Sequence, residues 1–144
     1  MNNIAKGVIA GFVATAIVSI LFVMKAAMGL MPDLNIIAML SGMMGGALIM
    51  GWVAHFVIGA VIWGVLFALF HPIIPGGNLW LKGVVFGVAA WLLMMIVVMP
   101  MLGAGLFGMN FGMVAPAMTL MVHVIFGAAL GGVYSALQNR EPTH

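Results

Sequence analysis

Long apolar stretches separated by short polar breaks dominate the chain. Four stretches, at about 7–30, 46–70, 82–102 and 114–137, are almost free of charged residues. A helix needs about 20 apolar residues to cross the hydrocarbon core of a bilayer. The breaks between the stretches carry proline, glycine and asparagine, which favour turns. The pattern predicts an all-α integral membrane protein with four transmembrane helices, forming a single membrane domain over residues 1–144.

A fifth apolar segment, LNIIAMLSGMMG at residues 34–45, is too short to cross a bilayer as a helix. Three structures suit such a segment: a helix in the interfacial region, a re-entrant helix, or an extension of the second span. The hydrophobic pattern alone does not choose among them.

The composition agrees with a membrane protein and excludes most soluble classes. Hydrophobic residues make up 66% of the chain and charged residues 4%, against about 25% charged residues in soluble domains. Four basic residues are too few to form a nucleic-acid surface. The chain has no cysteine, which excludes disulfides and thiolate metal sites. The expected partner is therefore the lipid bilayer, and no nucleic acid is expected.

The few charged residues predict how the chain is oriented in the membrane. Lys6, Lys82 and Arg140 lie at the ends of spans that share one side, whereas Lys25 lies on the other side close to Asp33. Cytoplasmic segments of membrane proteins carry an excess of lysine and arginine. The distribution predicts a multi-pass protein with both termini in the cytoplasm.

The chain contains an internal sequence repeat. Residues 55–69, HFVIGAVIWGVLFAL, match residues 123–137, HVIFGAALGGVYSAL, and residues 6–14, KGVIAGFVA, match residues 82–90, KGVVFGVAA. Because the two blocks match in the same order, we interpret residues 4–70 and 80–138 as a tandem duplication of a two-helix unit. Two units with the same orientation would be related by a pseudo-twofold axis along the membrane normal.

Glycines are concentrated in the half of each span that is predicted to be cytoplasmic. Small residues allow membrane helices to approach closely, so this half is expected to pack tightly. The glycines assigned to helix packing are Gly7, Gly11, Gly59, Gly64, Gly83, Gly87, Gly127, Gly131 and Gly132.

Two histidines lie within the predicted spans, at matching positions of the repeat. His55 and His123 each precede the cytoplasmic end of their span by about 15 residues, or about 20 Å of helix, which places them in the outer half of the membrane. An ionisable residue in a span suggests a functional site. Two inward-facing imidazoles could serve as axial ligands of haem b or bind a metal ion. Alternatively, each ring makes a local hydrogen bond, for example near Thr119, and binds nothing.

The haem hypothesis rests on a likeness in arrangement. Histidines on the second and fourth helices look like those of the four-helix core of b-type cytochromes. This chain departs from that pattern because it has one histidine pair and no arginine within the spans to pair with haem propionates. His71 and His144 lie at a span end and in the tail, where solvent is expected to reach them.

Methionine is abundant, with 16 copies. Several fall at i,i+4 spacing on one helix face: Met24/Met28, Met39/Met43, Met95/Met99 and Met109/Met113. Because thioethers select Cu(I), His55 and His123 with Met24 and Met99 form an alternative copper site. Methionine is also an adaptable packing residue, and this second interpretation requires no metal.

The sequence does not suggest an enzyme. Its only carboxylates are Asp33, in a predicted loop, and Glu141, in the C-terminal tail. No phosphate-binding loop or metalloprotease motif is present.

Four blocks carry a resemblance to a known family: MKAAMGLMPDLNIIAML, WVAHFVIGAVIWGVLFALF, LKGVVFGVAAWLLMMIVVMPMLGAGLFG and LMVHVIFGAALGGVYSAL. They resemble a family of small bacterial four-helix membrane proteins labelled only as a domain of unknown function. The resemblance implies a bacterial inner membrane and four spans, and it implies no activity.

Two functional hypotheses follow from the sequence. The first is a non-catalytic accessory subunit, in a homo-oligomer or a larger membrane complex, whose histidine pair binds haem b or a metal ion. The second is a methionine-rich conduit for Cu(I) or another small solute.

Overall fold

The computed structural model describes residues 1–140, and its regular structure within that range is entirely helical. The main helices are α1 (Asn3–Ala27), α2 (Ile36–Met43), α3 (Leu48–Phe70), α4 (Leu79–Met101) and α5 (Val114–Asn139). Helices α1, α3, α4 and α5 are each long and apolar enough to cross a membrane. The predicted all-α fold with four such helices is confirmed.

Helix α2 shows what the fifth apolar segment forms. It is a separate helix of eight residues, and residues 44–47 divide it from α3. The segment therefore does not extend the second span. Gly51 at the start of α3 allows the close contact between the two helices, because a Cβ atom there would overlap the backbone carbonyl oxygen of Ile37.

Asparagine side chains fix the starts of three helices. Asn2, Asn35 and Asn78 each accept a hydrogen bond from the backbone N–H three residues later, at 2.8–3.0 Å. These bonds satisfy N–H groups that have no partner within the helix. The polar breaks between the apolar stretches therefore set where α1, α2 and α4 begin.

The helices bury two clusters of apolar side chains, one toward each end of the bundle. The first joins α1, α3, α4 and α5 around Phe67, Phe86 and Tyr134. The second lies at the opposite end, around Met95, Met99 and Ala115, and it includes Leu34 from the loop before α2. Many large apolar side chains remain exposed on the outer faces of the helices. Such a surface suits contact with lipid rather than water.

Glycines form the closest helix contacts. A Cβ atom on Gly7 would overlap the carbonyl oxygen of Gly64, and one on Gly83 would overlap that of Gly127. Gly11, Gly59, Gly87 and Gly131 lie at the same two helix pairs, α1 with α3 and α4 with α5. Gly132 differs from the others, because no atom of a neighbouring helix lies within 4 Å of the position of its Cβ.

Two spans depart from regular α-helix near the middle of the bundle. Residues Val57–Trp63 of α3 and Met94–Val98 of α4 are π-helical. In α4 the cause is Pro100, which has no backbone N–H and whose ring clashes with the carbonyl four residues earlier. Short π segments are rare and occur frequently at functional sites.

The π segment of α3 places two glycines that are five residues apart on one helix face. Gly59 and Gly64 are five residues apart, yet the wider turn places both of them against α1. Gly127 and Gly131 of the regular helix α5 are four residues apart and both contact α4. Gly64 contacts Gly7 of α1, whereas Gly131 contacts Leu79 and Trp80 at the start of α4.

Candidate ligand site between His55 and His123

His55 and His123 line the same cavity. This cavity, which we call the histidine chamber, has a volume of about 180 Å³. Its remaining walls come from all four spans and from the segment containing α2, and they include Thr15, Phe22, Leu40, Ile58, Trp63, Met94 and Phe126. The sequence predicted inward-facing histidines, and both residues line one cavity, which is partly open to the outside.

The two π segments border this chamber. Ile58, Gly59 and Trp63 come from the π segment of α3, and Met94 and Val98 come from that of α4. A π turn widens the helix locally and rotates the side chains that follow it. The irregular backbone of both spans is therefore located at the histidine chamber.

Helix α1 holds the ring of His55. Ser19 donates its hydroxyl proton to the backbone carbonyl of Thr15 at 2.7 Å. The hydroxyl has one proton, so the 3.1 Å contact between Ser19 Oγ and His55 Nε2 requires the histidine nitrogen to be the donor. In the neutral ring, Nδ1 of His55 then carries the free lone pair. Phe22 and Trp52 pack against the ring with centroid distances of 5.4 and 5.9 Å.

The ring of His123 is held from within its own helix. Its Nδ1 lies 2.8 Å from the backbone carbonyl oxygen of Thr119, which can only accept a hydrogen bond. Nδ1 therefore carries the proton, and Nε2 of the neutral ring carries the lone pair. The hydroxyl of Thr119 in turn accepts a hydrogen bond from Trp91 Nε1 at 3.0 Å, which ties this part of α5 to α4.

Each ring therefore uses one nitrogen as a donor and has a lone pair on the other. Within residues 1–140, neither Nδ1 of His55 nor Nε2 of His123 has a hydrogen-bond partner, and neither is a fully buried polar atom. The local hydrogen bonds expected from the sequence are present, but each involves only one of the two ring nitrogens. Two accessible lone pairs suit a cation or a hydrogen-bond donor as ligand.

The arrangement of donors is typical of histidines that bind metal ions. A metal-binding imidazole usually donates its other N–H to a carbonyl, carboxylate or water, which fixes the tautomer and the orientation of the ring. His123 donates to a carbonyl and His55 donates to a hydroxyl. No group of three or more histidine, cysteine, aspartate or glutamate side chains is placed for a metal in the described part of the chain. Further ligands would have to come from another residue type.

Methionine supplies such a residue, but at a position that the sequence pattern does not indicate. Met94 lines the histidine chamber. Met24 is 53% exposed on the outer face of α1, whereas Met99 is fully buried in the cluster with Met95 and Ala115. Neither Met24 nor Met99 lines the chamber. The remaining methionines of the i,i+4 pairs are outside it as well.

Haem does not fit the histidine chamber. A cavity of about 150 Å³ holds benzene, and pockets for drug-sized ligands begin at about 300 Å³. A chamber of about 180 Å³ therefore has room for a ring of benzene size or for an ion with its ligands. It has no room for a porphyrin.

The other two histidines are elsewhere. His71 ends α3, where its Nδ1 lies 3.0 Å from the carbonyl oxygen of Ala68 and its ring lies 4.9 Å from that of Tyr134. Its ring is half-buried rather than fully solvated. His144 and Glu141 lie outside the described residues.

One comparison with known proteins gives a match. The chain matches, over residues 1–144, the profile of a family described as a family of unknown function (DUF6789). No curated protein and no solved structure matches the chain.

Proposed function

The chain belongs to that family of unknown function, and we propose that it is a non-catalytic membrane protein that binds one Cu(I) ion between His55 and His123. The observation that supports this most directly is that both histidines line one cavity, and that each has a ring nitrogen with a lone pair because its other nitrogen donates to a protein acceptor. The thioether of Met94 lines the same cavity. Imidazole binds copper and zinc, and thioether selects Cu(I) among these ions.

The charge of the site also favours a monovalent soft ion. The chamber has no carboxylate in its wall, so a bound divalent cation would keep its full charge in an apolar setting, at a high free-energy cost. Zn²⁺ in structural sites takes four ligands, more than the imidazoles and thioether here supply. The sequence left two ligands open for the histidine pair, haem b and a metal ion. The small volume of the histidine chamber favours the metal ion.

Direct measurement of the bound metal tests this proposal. The protein, purified in detergent under reducing conditions and supplied with Cu(I), is expected to retain one copper ion per chain and to show no haem absorption. The variant with both His55→Leu and His123→Leu should retain none. A haem spectrum in the purified protein would overturn the proposal, as would equal copper content in the wild type and the double variant.

We also propose the location and orientation indicated by the sequence. On this proposal the protein lies in a bacterial inner membrane with both termini cytoplasmic, and it is an accessory subunit of a homo-oligomer or a larger membrane complex. The orientation follows from the basic residues: Lys6, Lys82 and Arg140 lie on one side of the membrane, whereas the other side has Lys25, close to Asp33. The ammonium of Lys82 donates to the carbonyl of His71 at 2.9 Å, which fixes this charge at the loop between α3 and α4.

Reporter fusions test the orientation. A reporter that is active only in the cytoplasm should work at both termini and between residues 71 and 78. A reporter that is active only in the periplasm should work between residues 103 and 112, because that loop lies at the other end of α4. A periplasmic C-terminus would contradict the proposed orientation.

We further propose that the two helix pairs arose by duplication. His55 and His123 border the same chamber, and glycines make the closest contacts in both pairs. Phe67 of α3 and Tyr134 of α5 are both fully buried and meet edge to face at 5.5 Å. The ungapped sequence match pairs Phe67 with Ser135, so Phe67 and Tyr134 correspond only if the offset between the halves changes from 68 residues at the histidines to 67 after the π segment. One extra residue in α3 accounts for this change.

A small-solute conduit is the second candidate function, and one observation favours it. A second cavity, which we call the loop chamber, has a volume of about 190 Å³ and shares Phe22, Ile36, Met94, Val122 and His123 with the histidine chamber. The glycine contacts at the other end of the bundle leave little space for such a path to continue. The two chambers therefore suit binding from one side better than passage through the membrane.

A further inference from the structure

We propose that the loop chamber is the route by which Cu(I) reaches the histidine chamber, with Met118 as its first ligand. This inference rests on the proposed function. The two chambers adjoin, and two metal-binding side chains, Met94 and His123, lie in the walls of both. Met118 lies in the wall of the loop chamber only.

The loop chamber is the chamber that reaches the end of the bundle. Asn35 and Ala26 line it, and both are exposed. The histidine chamber borders the outside at Leu93 and Val98, on the apolar flank of α4. An ion cannot approach across that flank because it would have to cross hydrocarbon. The loop chamber also borders exposed apolar side chains, at Val23 and Leu48, but the exposed polar side chain of Asn35 gives an ion an entry at the end of the bundle.

The positions of the ligands allow a transfer by exchange. In the loop chamber the ion can be held by the sulfur atoms of Met118 and Met94 and by Nε2 of His123. It then enters the histidine chamber when its bond to Met118 breaks and a bond to Nδ1 of His55 forms. The charge remains +1 throughout, and no proton leaves, because both nitrogens already carry lone pairs. Met94 and His123 stay within reach of the ion in both positions.

The positive charge of Lys25 disfavours stable binding of Cu(I) in the loop chamber, so the ion passes through it. Its side chain lines this chamber, and its ammonium donates to the backbone carbonyl of Met31 at 2.9 Å. A fixed positive charge disfavours a cation that stays nearby. The histidine chamber has no charged side chain in its wall. The ion therefore gains stability as it moves from the first chamber to the second.

The kinetics of copper loading test the route. The full-length protein in detergent is mixed with a coloured Cu(I)–chelator complex, and the loss of colour reports transfer to the protein. Met118→Leu is expected to slow loading by about tenfold or more, since loss of even an outer partner of a metal ligand costs about 10- to 100-fold in metal affinity or activity. Its final occupancy should equal that of the wild type. Met121→Leu is the matched control, because Met121 lies on the same helix but is 54% exposed and lines neither chamber.

The outcomes separate this inference from the proposed function. Slow loading in Met118→Leu with normal final occupancy, and normal loading in Met121→Leu, would support the route. Unchanged loading in Met118→Leu would overturn it. A loss of final occupancy as large as in the double histidine variant would also overturn it, because Met118 would then belong to a single site. If the wild type loads no more copper than the double histidine variant, the proposed function itself fails.

Discussion

Replacing His55 by leucine is expected to weaken Cu(I) binding by at least about 100-fold, since loss of even an outer partner of a metal ligand costs 10- to 100-fold in affinity. His123→Leu should have an effect of similar size, because the two rings are expected to share one ion. With both residues replaced, the further loss should be small, since the site no longer exists after either change. Competition with a chelator of known Cu(I) affinity gives all three values.

The double variant distinguishes two models: one in which both rings bind a shared ion, and one in which each ring makes only its own hydrogen bond. Residues that act through one ligand give strongly non-additive losses, whereas independent residues give additive ones. His71→Leu is the matched control, because His71 lies at the end of α3 and lines neither chamber. If the Cu(I) affinity of His71→Leu fell as far as that of His55→Leu, Cu(I) binding could not be assigned to the histidine chamber. Additive losses from His55 and His123 would reduce the pair to a structural role.

Replacing Gly131 by alanine is expected to destabilise the protein by about 1–3 kcal/mol, the usual effect of an added carbon in a packed interior. Its Cβ would overlap the carbonyl oxygen of Leu79 and would lie 2.9 Å from the Cα atom of Trp80. Both atoms belong to the backbone at the start of α4, so relief would require α4 to move away from α5. Unfolding in mixed detergent micelles, followed by tryptophan fluorescence, measures the effect.

Gly132→Ala provides a control that is one residue away in the same helix. No atom of a neighbouring helix lies within 4 Å of the position of its Cβ, so the change in the free energy of unfolding should remain within about 0.5 kcal/mol. Equal losses in the two variants would show that glycine flexibility, rather than the contact between α4 and α5, determines stability at this position.

The four spans could be predicted from the sequence because membrane insertion depends on local hydrophobicity. A run of about 20 apolar residues must form a helix in lipid, since no water is present to satisfy its backbone. The same reasoning works for the close glycine contacts, because a residue without a side chain permits close approach wherever two helices cross. Neither inference requires knowledge of the neighbours of each residue.

The ligand site could be predicted only in part. The histidines stand out because polar rings are rare in an apolar span. The prediction that methionines at i,i+4 spacing share one helix face, in contrast, assumed a regular α-helix. The π segment Met94–Val98 breaks that assumption. It leaves Met95 and Met99 buried in a separate cluster and Met94 in the wall of the histidine chamber. Pro100 was a visible sign of irregular helix, although it did not show which side chains would turn inward.

The π turn of α3 also determines which parts of the chain could be exchanged. In a regular helix, one inserted residue rotates everything beyond it by about 100° and shifts it by about 1.5 Å. The π turn at Val57–Trp63 accommodates such a rotation, so that Gly59 and Gly64, five residues apart, both contact α1. A recombinant chain that used α4 and α5 twice would have no such turn and no segment 34–40 to line the two chambers. The two helix pairs therefore differ in backbone and in the segments that join them, and α4 with α5 could not replace α1 to α3 in this bundle.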